Sequence, residues 1–134
     1  ASLQGAEIFE GDIRDEQTVA RAMRPGWDTV LHLAARAGVR PSIKSPGLYV
    51  ATNVAGTSAM LEASVRTGVG TFLFASSSSV YGASDEVPFR EDAPLRRTFS
   101  PYAATKVAGE QLCSSFSHLH GLRVVSLRFF TVYG

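Results

Sequence analysis

The chain has little of several things. Its one cysteine, Cys113, has no partner for an internal disulfide, and its place in a helical pattern suits a core or half-buried thiol better than a nucleophile. It has only two lysines, Lys44 and Lys106, beside eleven arginines, and a net charge of +1 with no block of like charge. Arg96-Arg97 is the one adjacent basic pair, which speaks against a nucleic-acid or membrane-surface partner. No apolar run approaches the roughly 18 residues that cross a bilayer, and no basic-apolar-small leader opens the sequence, so a cytosolic location is expected. The three histidines, His32, His118 and His120, are not spaced with carboxylates or the cysteine as metal ligands are, and no metal is expected. A length of 134 residues, 45% hydrophobic and 19% charged, suits one α/β domain or part of a larger one.

What is present is an alternation. Glu7 to Glu10 reads as a short strand ending at Gly11-Asp12, followed by a helix over about 16–23. Thr29 to Ala34 is a nearly continuous apolar run, as suits a parallel strand buried on both faces. Pro46 opens a long helix to about Thr67, closed by Gly68, and Thr71 to Ala75 forms the next strand, running into four serines, Ser76 to Ser79. Residues 82–99 read as a surface loop, a helix runs from Ser100-Pro101 to about His120, and Arg123 to Phe130 forms the last strand. The order β-α-β-α-β-α-β predicts a doubly wound parallel sheet with ligands outside the carboxyl ends of its strands. Asp12, Ala34-Ala35, the serines and Thr131 all follow such ends.

Within that frame, Tyr102-Ala103-Ala104-Thr105-Lys106, lying 25 residues after Ser77, carries the chemistry. Positions four apart share a helix face, so the Lys106 ammonium lies beside the Tyr102 phenol and favours its phenolate. Serine at the N-cap and proline at the first helical position place the tyrosine in the positive end of the helix dipole, which acts in the same direction. A tyrosine packed against a lysine stem on an ordinary surface helix, and a serine run that is only a polar turn, remain open alternatives.

With these residues the chain resembles the extended short-chain dehydrogenase/reductase family, and in particular its nucleotide-sugar 4-epimerases. Gly11-Asp12-Ile13-Arg14-Asp15 looks like the loop contacting the adenine of NAD, and His32-Leu33-Ala34-Ala35 like the strand end under that cofactor. Asn53 and Phe130 match cofactor-side positions, although Asn53 also reads as a solvated helix asparagine. The resemblance implies Ser77, Tyr102 and Lys106 as catalytic residues, Tyr102 and Lys106 also meeting NAD. It implies Arg40, Ser77, Ser78, Ser79, Tyr102 and Thr131 as the substrate side. Ala37-Gly38-Val39-Arg40 and Phe129 to Gly134 look most like UDP-glucuronate 4-epimerases, where hydroxyls at Ser78, Ser79 and Thr131 could meet a uronate carboxylate. Thr131 is equally a β-branched strand-end residue, so UDP-glucose and UDP-galactose stay open as substrates. Dehydratase relatives carry an Asp-Glu pair near Ser78-Ser79; serines there favour epimerisation.

The likeness breaks off at both ends. No strand-Gly-x-x-Gly-x-x-Gly-helix unit is present, so the expectation is a partial NAD-binding Rossmann-like domain over 1–134, about strands 3 to 6. It would lack the glycine-rich βαβ unit and the C-terminal sugar-binding segments, be marginally stable or self-associated alone, and be catalytically poor. The resemblance also implies a homodimer for the longer protein. The rival expectation is a non-catalytic Rossmann-like binding or oligomerisation fragment.

Overall fold

The computed structural model of the chain describes residues 5–84, 87–95 and 97–133. Asp15 opens the first helix, α1 (Glu16–Ala22): its carboxylate accepts from the backbone N–H of Thr18 at 3.0 Å, satisfying one donor that a helix start leaves free. β1 (Thr29–His32) follows, then two short helices, α2 (Val39–Lys44) and α3 (Pro46–Tyr49). A π-helical turn over Val50–Ala55 leads into α4 (Gly56–Thr67). β2 (Thr71–Ser77) ends in a 3-10 turn over Ser78–Tyr81, and α5 (Pro101–His120) leads to β3 (Arg123–Phe129). Gly121 closes α5 at φ 68°, a left-handed conformation that a side chain would strain.

The strands form one parallel sheet in the order β1-β2-β3, as the α/β alternation predicts. Side chains alternate across a sheet, so Val30, Phe72 and Phe74 share one face. They meet Val19 and Met23, Leu61 and Ala63 of α4, Cys113 of α5 and Leu122 in the core. Gly109 lets α5 approach closely, since a Cβ there would stand 2.4 Å from the Phe74 ring. The other face carries the row Leu31, Leu73, Val125, aligned across all three strands, with Leu31 54% exposed and Val125 39% exposed. Among the described residues no helix is long and apolar enough to cross a membrane.

Three expectations change. Residues 7–10 are not a strand: they are exposed coil, with Glu7 paired to Arg24, because a strand is held by its ladder and no described strand lies beside them. The helix expected over 46–67 is divided by the π turn. β1 stops at His32, whereas β2 runs on to Ser77, so the serine run is half strand and half 3-10 turn. The predicted loop includes Asp85, Glu86 and Arg96, and the terminal motif includes Gly134; these lie outside the described residues.

Candidate active site

Ser100 caps α5, its hydroxyl accepting from the backbone N–H of Ala103 at 3.1 Å, and Pro101 occupies the first turn. Tyr102 therefore stands, half-buried, at the positive end of a 20-residue helix. One turn on, Lys106 turns inward: it is only 5% exposed, and its Nζ donates to the carbonyl of Ala75 at 2.6 Å. The same nitrogen lies 5.1 Å from the Phe74 ring centroid and 5.9 Å from that of Tyr102. Burial lowers the lysine to about 8, so its charge is held at neutral pH against desolvation. A lysine stem lying along a surface helix is not what the structure has.

Ser77 ends β2 opposite this pair. Its Oγ accepts from the N–H of Ser79 at 3.2 Å and from the Ser79 hydroxyl at 2.9 Å, which leaves its own proton free to donate. Ser77, Tyr102 and Lys106 line one open cleft of ≈ 290 Å³ at the carboxyl edge of the sheet. Leu33 and the small residues Ala35 and Ala37 form one wall, Phe129 and Phe130 the other. A larger cavity of ≈ 750 Å³ opens between α5 and β3 beside Glu110 and Arg128, but the reactive groups line the smaller one.

Behind the cleft, Asn53 holds two walls together. It is 2% exposed, its Oδ1 accepts from the Arg36 N–H at 2.7 Å, and its Nδ2 donates to the Arg36 carbonyl and to Thr105 Oγ1, each at 3.0 Å. Both amide protons are thus engaged within the protein. Asn53 lies inside the π turn, a backbone irregularity that recurs at functional sites. The Thr57 hydroxyl donates to the Asn53 carbonyl at 2.6 Å, so the 3.0 Å contact from His32 Nε2 to Thr57 Oγ1 has the histidine donating. That fixes the Nε2–H tautomer, and burial lowers His32 to about 4, keeping it neutral. Tyr49, 3% exposed, donates to the Ala37 carbonyl at 2.6 Å and completes the support of the loop.

Other residues singled out from the sequence lie outside the cleft lining. Asp12 is exposed, and hydrogen bonds from Arg14 hold its carboxyl at about 2. Ile13 packs on the start of α4, where a Cβ on Gly56 would come within 2.6 Å of its Cδ1. Ala34 follows β1 but does not line the cleft, Ser78 and Ser79 are half-buried in the 3-10 turn, and Arg40 and Thr131 are exposed. Sequence reasoning missed Tyr49, the His32-Thr57 contact and a cluster of Ser76, Glu110 and Arg128. A lone histidine in an apolar run, and a glutamate one turn past Lys106, were signals in plain view. Among the described residues no three His, Cys, Asp or Glu groups are placed to hold a metal. Cys113 is 1% exposed, with its thiol pushed up to about 12 by burial, and has no nucleophilic character.

A phenol, an ammonium held one turn away and a free hydroxyl proton, converging over small residues, can take a proton from a bound alcohol. Known proteins share this arrangement of elements. The chain is similar to UDP-glucuronate 4-epimerase 1 of Arabidopsis thaliana, 42% identical over 99% of this chain and 32% of that protein. Among solved structures it is similar to UDP-glucose 4-epimerase of Thermotoga maritima with UDP-glucose (TM-score 0.90, 34% identity, 98% of this chain, 43% of that one). It is similar too to UDP-glucose 4-epimerase of Thermus thermophilus in complex with NAD (TM-score 0.85, 38% identity, 93% and 41%). The chain spans about a third of the length of the curated relatives it matches. The pattern of the NAD dependent epimerase/dehydratase family matches residues 1–134, and the chain belongs to that family.

Proposed function

We propose that this chain carries the catalytic residues of an NAD-dependent nucleotide-sugar 4-epimerase, with UDP-glucuronate as first substrate and UDP-glucose or UDP-galactose as the alternative. The observation that carries the reading is the buried Lys106, fixed by the Ala75 carbonyl one helical turn from Tyr102 in a cleft shared with Ser77. The cleft suits the nicotinamide end of NAD: Ala35, Ala37 and Ala75 let a flat ring approach the backbone, and Lys106 keeps two N–H donors free for ribose hydroxyls. NAD, when bound, supplies reversible hydride transfer at the sugar C4.

The protein residues then divide the remaining work. Tyr102 takes the C4 hydroxyl proton and later returns it, and Ser77 donates to the same oxygen with the proton its two accepted bonds leave free. Lys106 holds its positive charge one helical turn from the Tyr102 ring, at the place where the proton is moved. Asn53 orients the loop carrying Ala35 and Ala37 and ties it to Thr105, next to Lys106. In this reading the loop with Asp12 and Ile13 meets the adenine end, with Ala34 and Phe130 also on the cofactor side. Arg40, Ser78, Ser79 and Thr131 form the rim that meets the uronate carboxylate. The names of the curated relatives support UDP-glucuronate, and the absence of an acidic pair at Ser78-Ser79 favours epimerisation over dehydration.

The test is a 4-epimerase assay of the natural full-length protein on UDP-glucuronate and UDP-glucose, with Tyr102→Phe as control. Losing the general base lowers turnover by about 100- to 10,000-fold. A Tyr102→Phe protein turning over at the wild-type rate, or a wild type inert on both sugars with NAD bound, overturns the proposal.

A further inference from the structure

The Glu110–Arg128 pair is the most deeply set ion pair among the described residues, with side chains 9% and 14% exposed against 42% or more for the others. It is bidentate, Arg128 Nε donating to Oε1 at 3.0 Å and Nη2 to Oε2 at 2.8 Å. The Ser76 hydroxyl donates to the same Oε1 at 2.5 Å. Arg128 Nη1 donates to the Glu91 carbonyl at 3.2 Å, and its guanidinium lies 4.9 Å over the Tyr81 ring, on which Phe89 stacks. Hydrogen bonding to Glu110 raises the arginine further above its ordinary value, so Arg128 stays charged.

Burying an ion pair is a poor route to stability, because desolvation offsets most of the attraction. Its geometry here suits a different task. Tyr102, Lys106 and Glu110 are spaced i, i+4, i+8 along one stripe of α5. Lys106 reaches Ala75 and Glu110 reaches Ser76, two consecutive residues of β2, and the next residue is Ser77. Two anchors on consecutive residues fix both the rotation and the axial position of α5 on the strand. Arg128, in register with Ser76, extends the hold to β3 two residues before Phe130. We propose that Glu110, clamped between Ser76 and Arg128, is a positioning residue that sets Tyr102 and Lys106 against Ser77 and Phe130. The proposal rests on the epimerase reading of the cleft.

Ser76→Ala removes one hydroxyl link and leaves the ion pair intact; Glu110→Gln keeps the shape and removes the charge. In the full-length protein with saturating NAD, kcat falls about tenfold for Ser76→Ala and about 100-fold for Glu110→Gln, the scale of a 1 Å misplacement. KM for the nucleotide sugar stays within about twofold in both, and the fall in kcat persists after normalisation to the fraction that binds NAD, which loss of folded protein does not produce. Hydrogen exchange rises over 75–81 and 101–110 while α4 is unchanged, and the melting midpoint falls more in Glu110→Gln, which leaves Arg128 without its counter-charge, than in Ser76→Ala. A folded Glu110→Gln with wild-type kcat, or a kcat loss that only tracks the fraction able to bind NAD, overturns the proposal. Where Glu110→Gln fails to fold, Ser76→Ala decides by the same criteria. Where the wild type itself turns over no nucleotide sugar, the epimerase reading has failed, and exchange alone decides the positioning role. Local loosening confined to those two segments supports it, and uniform or absent change overturns it.

Discussion

The two sides of the cleft are built differently. On the α5 side every reactive group is anchored: Tyr102 by a capped helix start, Lys106 by Ala75, and the helix itself by Glu110. On the rim, Phe130 is 57% exposed, and Arg40 and Thr131 lie open to solvent. The difference teaches that the groups proposed for proton transfer are held by the core of the sheet, whereas Arg40 and Thr131, proposed for substrate choice, stand exposed outside the cleft lining. Chemistry and selectivity are therefore separable by mutation.

Lys106→Met breaks the anchored side most severely. Turnover falls about 1,000-fold in the full-length assay, within the range of a lost acid–base partner. Stability does not fall with it, because burial opposes the ammonium by about 3 kcal/mol, the equivalent of a drop from 10.5 to about 8. The folded lysine binds its proton less tightly than the unfolded one, so wild-type stability rises between pH 8 and 10.5 and the variant loses that rise. Urea unfolding across this range checks both statements.

Asn53→Ala comes next. It strands the Arg36 amide and carbonyl behind the cleft and costs about 3 kcal/mol by chemical denaturation, the scale of buried polar groups left unpaired. His32 gives a pH signature of similar size. Its folded value of about 4 lies below its ordinary 6.5, so the folded protein binds fewer protons. The contribution is whole above pH 6.5 and is lost as pH falls toward 4, by up to about 3 kcal/mol. His32→Gln flattens that slope in stability-against-pH curves. The smallest effects belong to the rim: Arg40→Ala and Thr131→Ala change stability by less than about 0.5 kcal/mol. They change the ratio of kcat/KM for UDP-glucuronate over UDP-glucose by about tenfold, the scale of one charged hydrogen bond.

What was legible in the sequence follows the same division. The start of α5 is a local signal, Ser100-Pro101 before Tyr102, and the structure realises it with the expected cap. The three described strands carry their own apolar patterns and pair in the expected order. Residues 7–10 read as a strand from composition alone, but a ladder is a tertiary property and none forms among the described residues. The π turn has no compositional signature, and the bonds of Asn53 within it, to Arg36 and Thr105, are made between distant parts of the sequence. Glu110 and Arg128 are 18 residues apart, and only the packing of α5 on the paired strands brings them together.

The most direct measurement follows the hydrogen at the reacting carbon. UDP-glucuronate carrying deuterium at C4 is turned over by the full-length protein in ordinary water, and the epimerised product is analysed by mass and NMR. The account predicts deuterium retained at C4 in the product and product formation slowed about 100-fold or more in Tyr102→Phe, because the hydrogen leaves and returns as hydride while Tyr102 handles only the oxygen-bound proton. Deuterium washed out to solvent, or epimerisation at the wild-type rate in Tyr102→Phe, would contradict it.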